Sequence, residues 1–385
     1  MTRAEAFRAT LMAEAFAGPS ARTAARPPAG TIMLSIGDPD FPTPPHVREA
    51  MVAALEGGAT HYADWSGDPE LREALADVAA RRSGRPCSPS QVVLTHGGNA
   101  ALAASILACV GAGDRVVIPS PTYPPYAMVV RAAGAEAVTV PWGADRRPDL
   151  DAIDSAAAGA RMIVVCNPSN PTGVVLTRAE LDELARIAER HGALVLSDEA
   201  YDNTVFDGVP FTSALAVPAL AERLLYVQTF SKTYAMTGWR LGYVVAPPAT
   251  AAAVLALHRG FNGALNTAVQ RAALAAVTGP QDGPRRMREE FAVRRELVAE
   301  ILHGVPGVDA RPPDGTFYIF ARHPPGIASA ELRARALERG VAIRAGTDFG
   351  AAGEGHLRIS LTAERDVLGE AMERLRALFE ELAPG

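Results

Sequence analysis

Lysine is nearly absent from this chain: of its 37 basic residues, all but Lys232 are arginine. A surface that uses arginine throughout has no electrostatic need for that exception. The two residues differ most in chemistry, because an amine can lose its proton and condense with a carbonyl, whereas a guanidinium stays charged. Cysteine is scarce as well. Cys87, Cys109 and Cys166 are too few and too scattered for a disulfide framework or a zinc site, and they read as free thiols in a reducing cytoplasm. No apolar run approaches the roughly 20 residues that a membrane-crossing helix needs. The opening stretch, MTRAEAFRATLMAEAFAGPS, alternates charge with short apolar pieces and lacks the long apolar core of a secretory signal. Positive charge is not in excess either. A net charge of −6 and an isoelectric point near 5.8 offer no footing for nucleic acid or an anionic membrane. The expected location is the cytoplasm.

What is present has the ordinary mix of a globular protein, 48% hydrophobic and 21% charged over 385 residues. Residues 1–30, rich in Ala, Arg and Pro, read as a short helix and an irregular arm. Helical patterns run from Pro44 to about Leu55 and from Pro69 to about Arg81. Short β-branched runs then recur at Val92–Thr95, Arg115–Ile118, Ala137–Val140, Met162–Cys166, Leu194–Ser197, Leu224–Thr229 and Gly242–Val245. Helical patterns such as Arg178–Arg190 separate several of them. Such alternation predicts an α/β layered domain around a mostly parallel sheet. After Thr278 the character changes. Gly279-Pro280 and Gly283-Pro284 punctuate the chain, Arg285–His303 reads as one long helix, and strands near Thr316–Phe320 and His356–Leu361 mix with helices near Ala330–Arg339 and Arg365–Leu382. That pattern predicts a smaller α+β domain.

The chemistry-bearing residues cluster just past predicted strand ends, where ligands of open α/β sheets gather. Leu224–Thr229 runs into Phe230-Ser231-Lys232, and Arg240 follows eight residues after the lysine. Hydroxyls of Thr229 and Ser231 with a fixed arginine suit a phosphate. The run ending in Ser197-Asp198-Glu199-Ala200-Tyr201 closes an apolar strand with a carboxylate. Asp198 serves equally as a helix N-cap or as the partner of a heteroaromatic nitrogen, which it would keep protonated. Asn167-Pro168-Ser169-Asn170-Pro171-Thr172-Gly173 is either a plain turn or a rigid loop holding the Asn170 amide toward a phenolate or carboxylate oxygen. Gly97-Gly98-Asn99-Ala100 lies between a strand and a helix start, where free amides bind anions. Tyr123, within Ser120–Tyr126, either packs in the core or offers a face for a flat ring.

Together these segments resemble the pyridoxal 5′-phosphate (PLP) enzymes of fold type I, in particular the class I and II aminotransferases of the aspartate aminotransferase superfamily. The resemblance runs from about Ile36 to the C-terminus. It extends to Ile36–Pro44, His61-Tyr62-Ala63 with Gly67 and Leu71–Ala74, Pro313–Tyr318, Gly346–Gly350 and His356–Leu361. It implies a three-layer large domain with a mostly parallel seven-stranded sheet. The implied division is an N-terminal arm (1–45) joining the small domain, a PLP-binding domain (46–278) and a small C-terminal domain (279–385). Lys232 would be the Schiff-base lysine and proton carrier, and Asp198 would pair with the pyridine nitrogen. Tyr201 and Asn170 would bond the ring oxygen, and Tyr123 would stack on the ring. The phosphate would rest on amides of Gly98, Asn99 and Ala100, hydroxyls of Thr229 and Ser231, and Arg240. Tyr62 would reach the phosphate of a neighbouring subunit, which implies a homodimer with shared active sites. Arg358, with Asn170 and the backbone near Gly37, would clamp the substrate α-carboxylate. Two features depart from common family usage: Asn99-Ala100 lacks a hydroxyl or charge in the phosphate cup, and the arm is unusually rich in Pro and Arg.

The activity so implied is transfer of an amino group between an L-amino acid and a 2-oxo acid. A PLP-dependent β-lyase, decarboxylase or cyclase on the same scaffold is the alternative. A DNA-binding sensor built on this fold is a further one, disfavoured because the stretch before Ile36 is too short for a DNA-binding module. No second arginine for a dicarboxylate stands out; Arg344 and Arg22 are candidates only by position or mobility.

Overall fold

The computed structural model describes residues 27–143 and 145–382; the expected helix of the N-terminal arm and Arg22 lie outside them. Seven strands form the main sheet: β2 (Val92–Thr95), β3 (Arg115–Ser120), β4 (Glu136–Pro141), β5 (Met162–Cys166), β6 (Leu194–Asp198), β7 (Leu224–Thr229) and β8 (Gly242–Val245). A two-residue strand, β1 (Ile32–Met33), precedes them. The sheet order is β2-β8-β7-β6-β5-β3-β4, parallel except at β8, which runs against both of its neighbours. Each predicted run lies within one of these strands.

Alternation along the strands explains the layering. Val92, Leu94, Val117, Ile163, Val165, Val195 and Tyr226 point into one apolar cluster, with Leu71, Leu75, Leu181 and Leu184 from flanking helices. Their neighbours Val93, Val116, Ile118, Met162, Val164, Leu196 and Val227 point into a second, with Ala101, Leu102 and Val254. A strand covered on both faces reads as a continuous apolar run, and β5 and β7 are buried at every position. The result is a three-layer α/β/α arrangement. Caps fix the helix ends: Arg178–His191 begins at a Thr177–Glu180 capping box and stops at left-handed Gly192.

A third cluster gathers Phe291, Val298, Phe317, Ile319, Leu357, Leu375 and Phe379. It packs on a three-stranded antiparallel sheet, β11-β12-β9, made of β9 (Tyr318–Arg322), β11 (Arg344–Ala345) and β12 (His356–Ser360). β1 pairs in parallel with β10 (Val341–Ala342), and Leu34 joins the same cluster. The long helix spans Asp282–Leu302, starting three residues before its predicted Arg285. Pro284 suggested an interruption, but it falls in the first turn, where its missing N–H has no intrahelical partner to lose. β1, β10 and β11 escaped prediction because two residues carry no periodicity. Among the described residues, no helix is long and apolar enough to cross a membrane.

Candidate active site

The parallel strands all end at one edge of the main sheet. Because β8 runs the other way, its first residue arrives there too: Gly242 faces both Thr95 and Thr229, the last residues of β2 and β7. A Cβ on Gly242 would meet the backbone of Gly97 and Gly98 within 3.0 Å, so glycine lets these three segments close together. A cleft of about 490 Å³ opens at this edge. All the predicted site residues line it except Ala100 and Tyr62. Ala100 stands one residue inside the helix Gly98–Cys109, and Tyr62 is 92% exposed beside a different hollow.

Lys232 lies in the short helical turn Phe230–Thr233, which Thr229 caps by accepting from the Ser231 N–H. Its Nζ donates to the Gly37 carbonyl at 2.5 Å. Burial lowers its pKa to about 8, against the opposing pull of Asp38. Asp198 ends β6. Its Oδ2 accepts from the Tyr126 hydroxyl at 2.7 Å, and its Oδ1 accepts from the Ala200 N–H at 3.1 Å. No α-helix follows, only a short turn at Asp202–Thr204, so the cap reading fails. Burial raises the Asp198 carboxyl, while the Tyr126 hydrogen bond pulls it back down.

On the opposite wall, the Arg358 Nη1 donates to Asn170 Oδ1 at 3.1 Å and its Nη2 to the Ser35 carbonyl at 2.7 Å. Arg358 also lies over the Tyr318 ring, 4.1 Å from its centroid. The Tyr201 hydroxyl is 3.1 Å from that of Tyr318 and receives a long, weak contact from the Asn170 amide at 3.5 Å. Gly37 is fixed by the same tyrosine, since a Cβ there would sit 1.6 Å from the Tyr318 oxygen. The Tyr123 hydroxyl donates to Asn99 Oδ1 at 3.1 Å, and its ring meets Tyr126 edge-on.

The remaining corner suits a phosphate. The helix Gly98–Cys109 has no side-chain cap, and its first three amides lie beyond the reach of intrahelical bonding. The Arg240 guanidinium crosses so close to Gly97 that a Cβ there would lie 2.6 Å from Nη2. Hydroxyls of Thr229 and Ser231, 3.0 Å apart, complete the cup. Arg358 meanwhile keeps a buried Nε with no hydrogen-bond partner among the described residues, a cost that an arriving anion removes. The residues present therefore fit a flat, phosphate-bearing ring between Tyr123 and Asp198, with an amine at its edge.

Sequence reasoning gave no role to Tyr126, Tyr318, Ser35 or Phe349. Tyr126 and Tyr318 are almost fully buried and read as core, and Ser35 acts through its backbone, which no residue type signals.

A family model described as aminotransferase class I and II matches residues 29–375. Aromatic-amino-acid aminotransferase 2 of Thermococcus litoralis is 36% identical over 360 residues, covering 91% of this chain and 92% of that protein. An arginine–pyruvate transaminase of Pseudomonas aeruginosa is 35% identical over 356 residues, covering 91% and 90%. Among solved structures, an aromatic aminotransferase from Pyrococcus horikoshii superposes with a TM-score of 0.88 at 35% identity, covering 92% of this chain and 97% of that one.

Proposed function

The chain belongs to the class I and II aminotransferases, and from that membership we propose that it holds PLP on Lys232 and moves an amino group between an L-amino acid and a 2-oxo acid. The observation that carries this reading is the single lysine of the chain, half-buried at the strand edge with its amine on the Gly37 carbonyl and its pKa lowered to about 8. Bound PLP supplies an aldehyde for amines to condense with and a protonated ring that draws electrons from the substrate α-carbon.

The protein's own residues do the rest. A lysine near pKa 8 keeps an appreciable neutral fraction at physiological pH, so its Nζ serves as nucleophile and then takes and returns the α-proton. Asp198, whose ionised form the Tyr126 hydrogen bond favours against burial, holds a proton on the ring nitrogen. Tyr201 and Asn170 bond the ring oxygen, and Tyr123 stacks on the ring. The amides of Gly98, Asn99 and Ala100, the hydroxyls of Thr229 and Ser231, and Arg240 hold the phosphate. Arg358, braced by Asn170 and Ser35, takes the α-carboxylate beside the Gly37 backbone.

The exposure of Tyr62, away from its own chain's cleft, supports a homodimer in which it serves the partner's phosphate. The division into an arm (1–45), a PLP domain (46–278) and a small domain (279–385) and a cytoplasmic location belong to the same reading. Incubation of PLP-loaded enzyme with a panel of L-amino acids and 2-oxoglutarate or pyruvate tests the reaction. New amino acid should form in step with loss of the donor. Release of free ammonia without it would contradict transamination and mark a lyase.

A further inference from the structure

Two arginines stand directly opposite each other on β11 and β12: the register pairs Arg344 with Arg358. Opposed residues of an antiparallel pair share one face of the sheet with their Cβ atoms roughly 5 Å apart, and like charges so placed repel. Both side chains line the cleft, and both guanidiniums lie near the Phe349 ring, at 4.7 Å for Arg358 and 5.8 Å for Arg344. Among the described residues, Asp348 is the one carboxylate paired with either arginine. It is 4% exposed, lies 2.8 Å from Arg344 Nε and is shared with Arg333. Even there the Arg344 N–H is not aligned on the oxygen, so Arg344 Nε, like Arg358 Nε, is buried without a hydrogen-bond partner among the described residues. The neighbourhood thus holds three guanidiniums against one carboxylate, and among the described residues Arg358 has no carboxylate of its own.

A repulsive, unsatisfied pair at a cleft wall is stabilised by an anion that reaches both members. Asp348 pairs with Arg344 through Nε, which leaves the two terminal nitrogens without a hydrogen bond among the described residues, and a planar fork suits a carboxylate. Resting on the reading of Arg358 as the α-carboxylate clamp, we propose that Arg344 binds a second carboxylate, so that the preferred substrates are short dicarboxylic amino and oxo acids. Asp348 is the positioning residue that holds Arg344 against Arg358.

The test is competitive binding of unreactive acids to the PLP-loaded enzyme, followed by calorimetry. Succinate or glutarate should bind at least about tenfold more tightly than butyrate, the scale of one charged hydrogen-bonded contact. In Arg344→Leu that ratio should collapse toward one, and in Arg344→Lys, which keeps the charge without the fork, it should fall partway. Turnover should follow, with kcat/KM for glutamate or aspartate falling relative to alanine mainly through KM. Absence of a dicarboxylate preference in the wild type, or its survival in Arg344→Leu, would overturn the assignment. Arg358→Leu separates the two readings. Loss of affinity for butyrate and succinate alike supports the clamp on which the proposal stands, whereas unchanged butyrate binding would overturn that clamp and the proposal with it.

Discussion

At the scale of single residues, folding places the Lys232 amine where solvation is poor, and that has a measurable cost. Folding holds Lys232 at about 8, below its ordinary 10.5. Between those values the unfolded chain binds more protons than the folded one, so cofactor-free stability contributed by this group rises with pH across the window. The cost is fully present below pH 8 and gone above 10.5. Cofactor-free Lys232→Met should therefore be more stable than the wild type by about 1–3 kcal/mol at pH 7, the advantage shrinking as pH approaches 10. Urea unfolding at both pH values checks it. A second prediction concerns Tyr126, whose hydroxyl donates to Asp198 Oδ2 and favours the ionised carboxylate against the upward push of burial. Tyr126→Phe should lower kcat by about tenfold, the worth of one charge-assisted bond, and raise the pH at which the acid limb of the rate profile falls. Lys232 was legible in the sequence because it is chemically unique. Asp198 was ambiguous until the absence of a following helix removed the capping role. Tyr126 was hidden because a buried phenol in an apolar helix looks like any other core residue.

At the scale of elements, most strands were visible because doubly covered strands are continuous β-branched runs of four residues or more. The small pieces β1, β10 and β11 were not, since their pairing is set by tertiary packing rather than local pattern. This matters for function, because β11 is what sets Arg344 opposite Arg358. Element ends also make testable statements. Thr177→Ala removes the hydroxyl that accepts from the Glu180 N–H, one half of a capping box outside the cleft, and leaves the Glu180 carboxylate on the residue 177 N–H; it should cost about 1 kcal/mol of stability with kcat unchanged. Gly242→Ala acts differently. Its methyl group would collide with the Gly97–Gly98 backbone, so it should displace the uncapped helix start and weaken PLP binding at least about tenfold, read by fluorescence titration of cofactor-free protein.

At the scale of the whole molecule, the cleft draws on both sheets: Asp198 from the seven-stranded one and Lys232 from the turn that follows its strand β7, Arg358 and Arg344 from the three-stranded one. A homodimer would add Tyr62 from a neighbour. A hybrid of one Tyr62→Ala chain with one Lys232→Ala chain should then regain a complete site and about half the wild-type turnover, while neither parent dimer does. Such complementation would fail if Tyr62 served its own chain. The account as a whole rests on covalent capture of the cofactor by one amine. Borohydride reduction of the PLP-loaded protein, followed by peptide mass spectrometry, reads this directly. The predicted result is one phosphopyridoxyl group per chain, on Lys232. Labelling elsewhere, or a protein that PLP leaves colourless and unmodified, would contradict it.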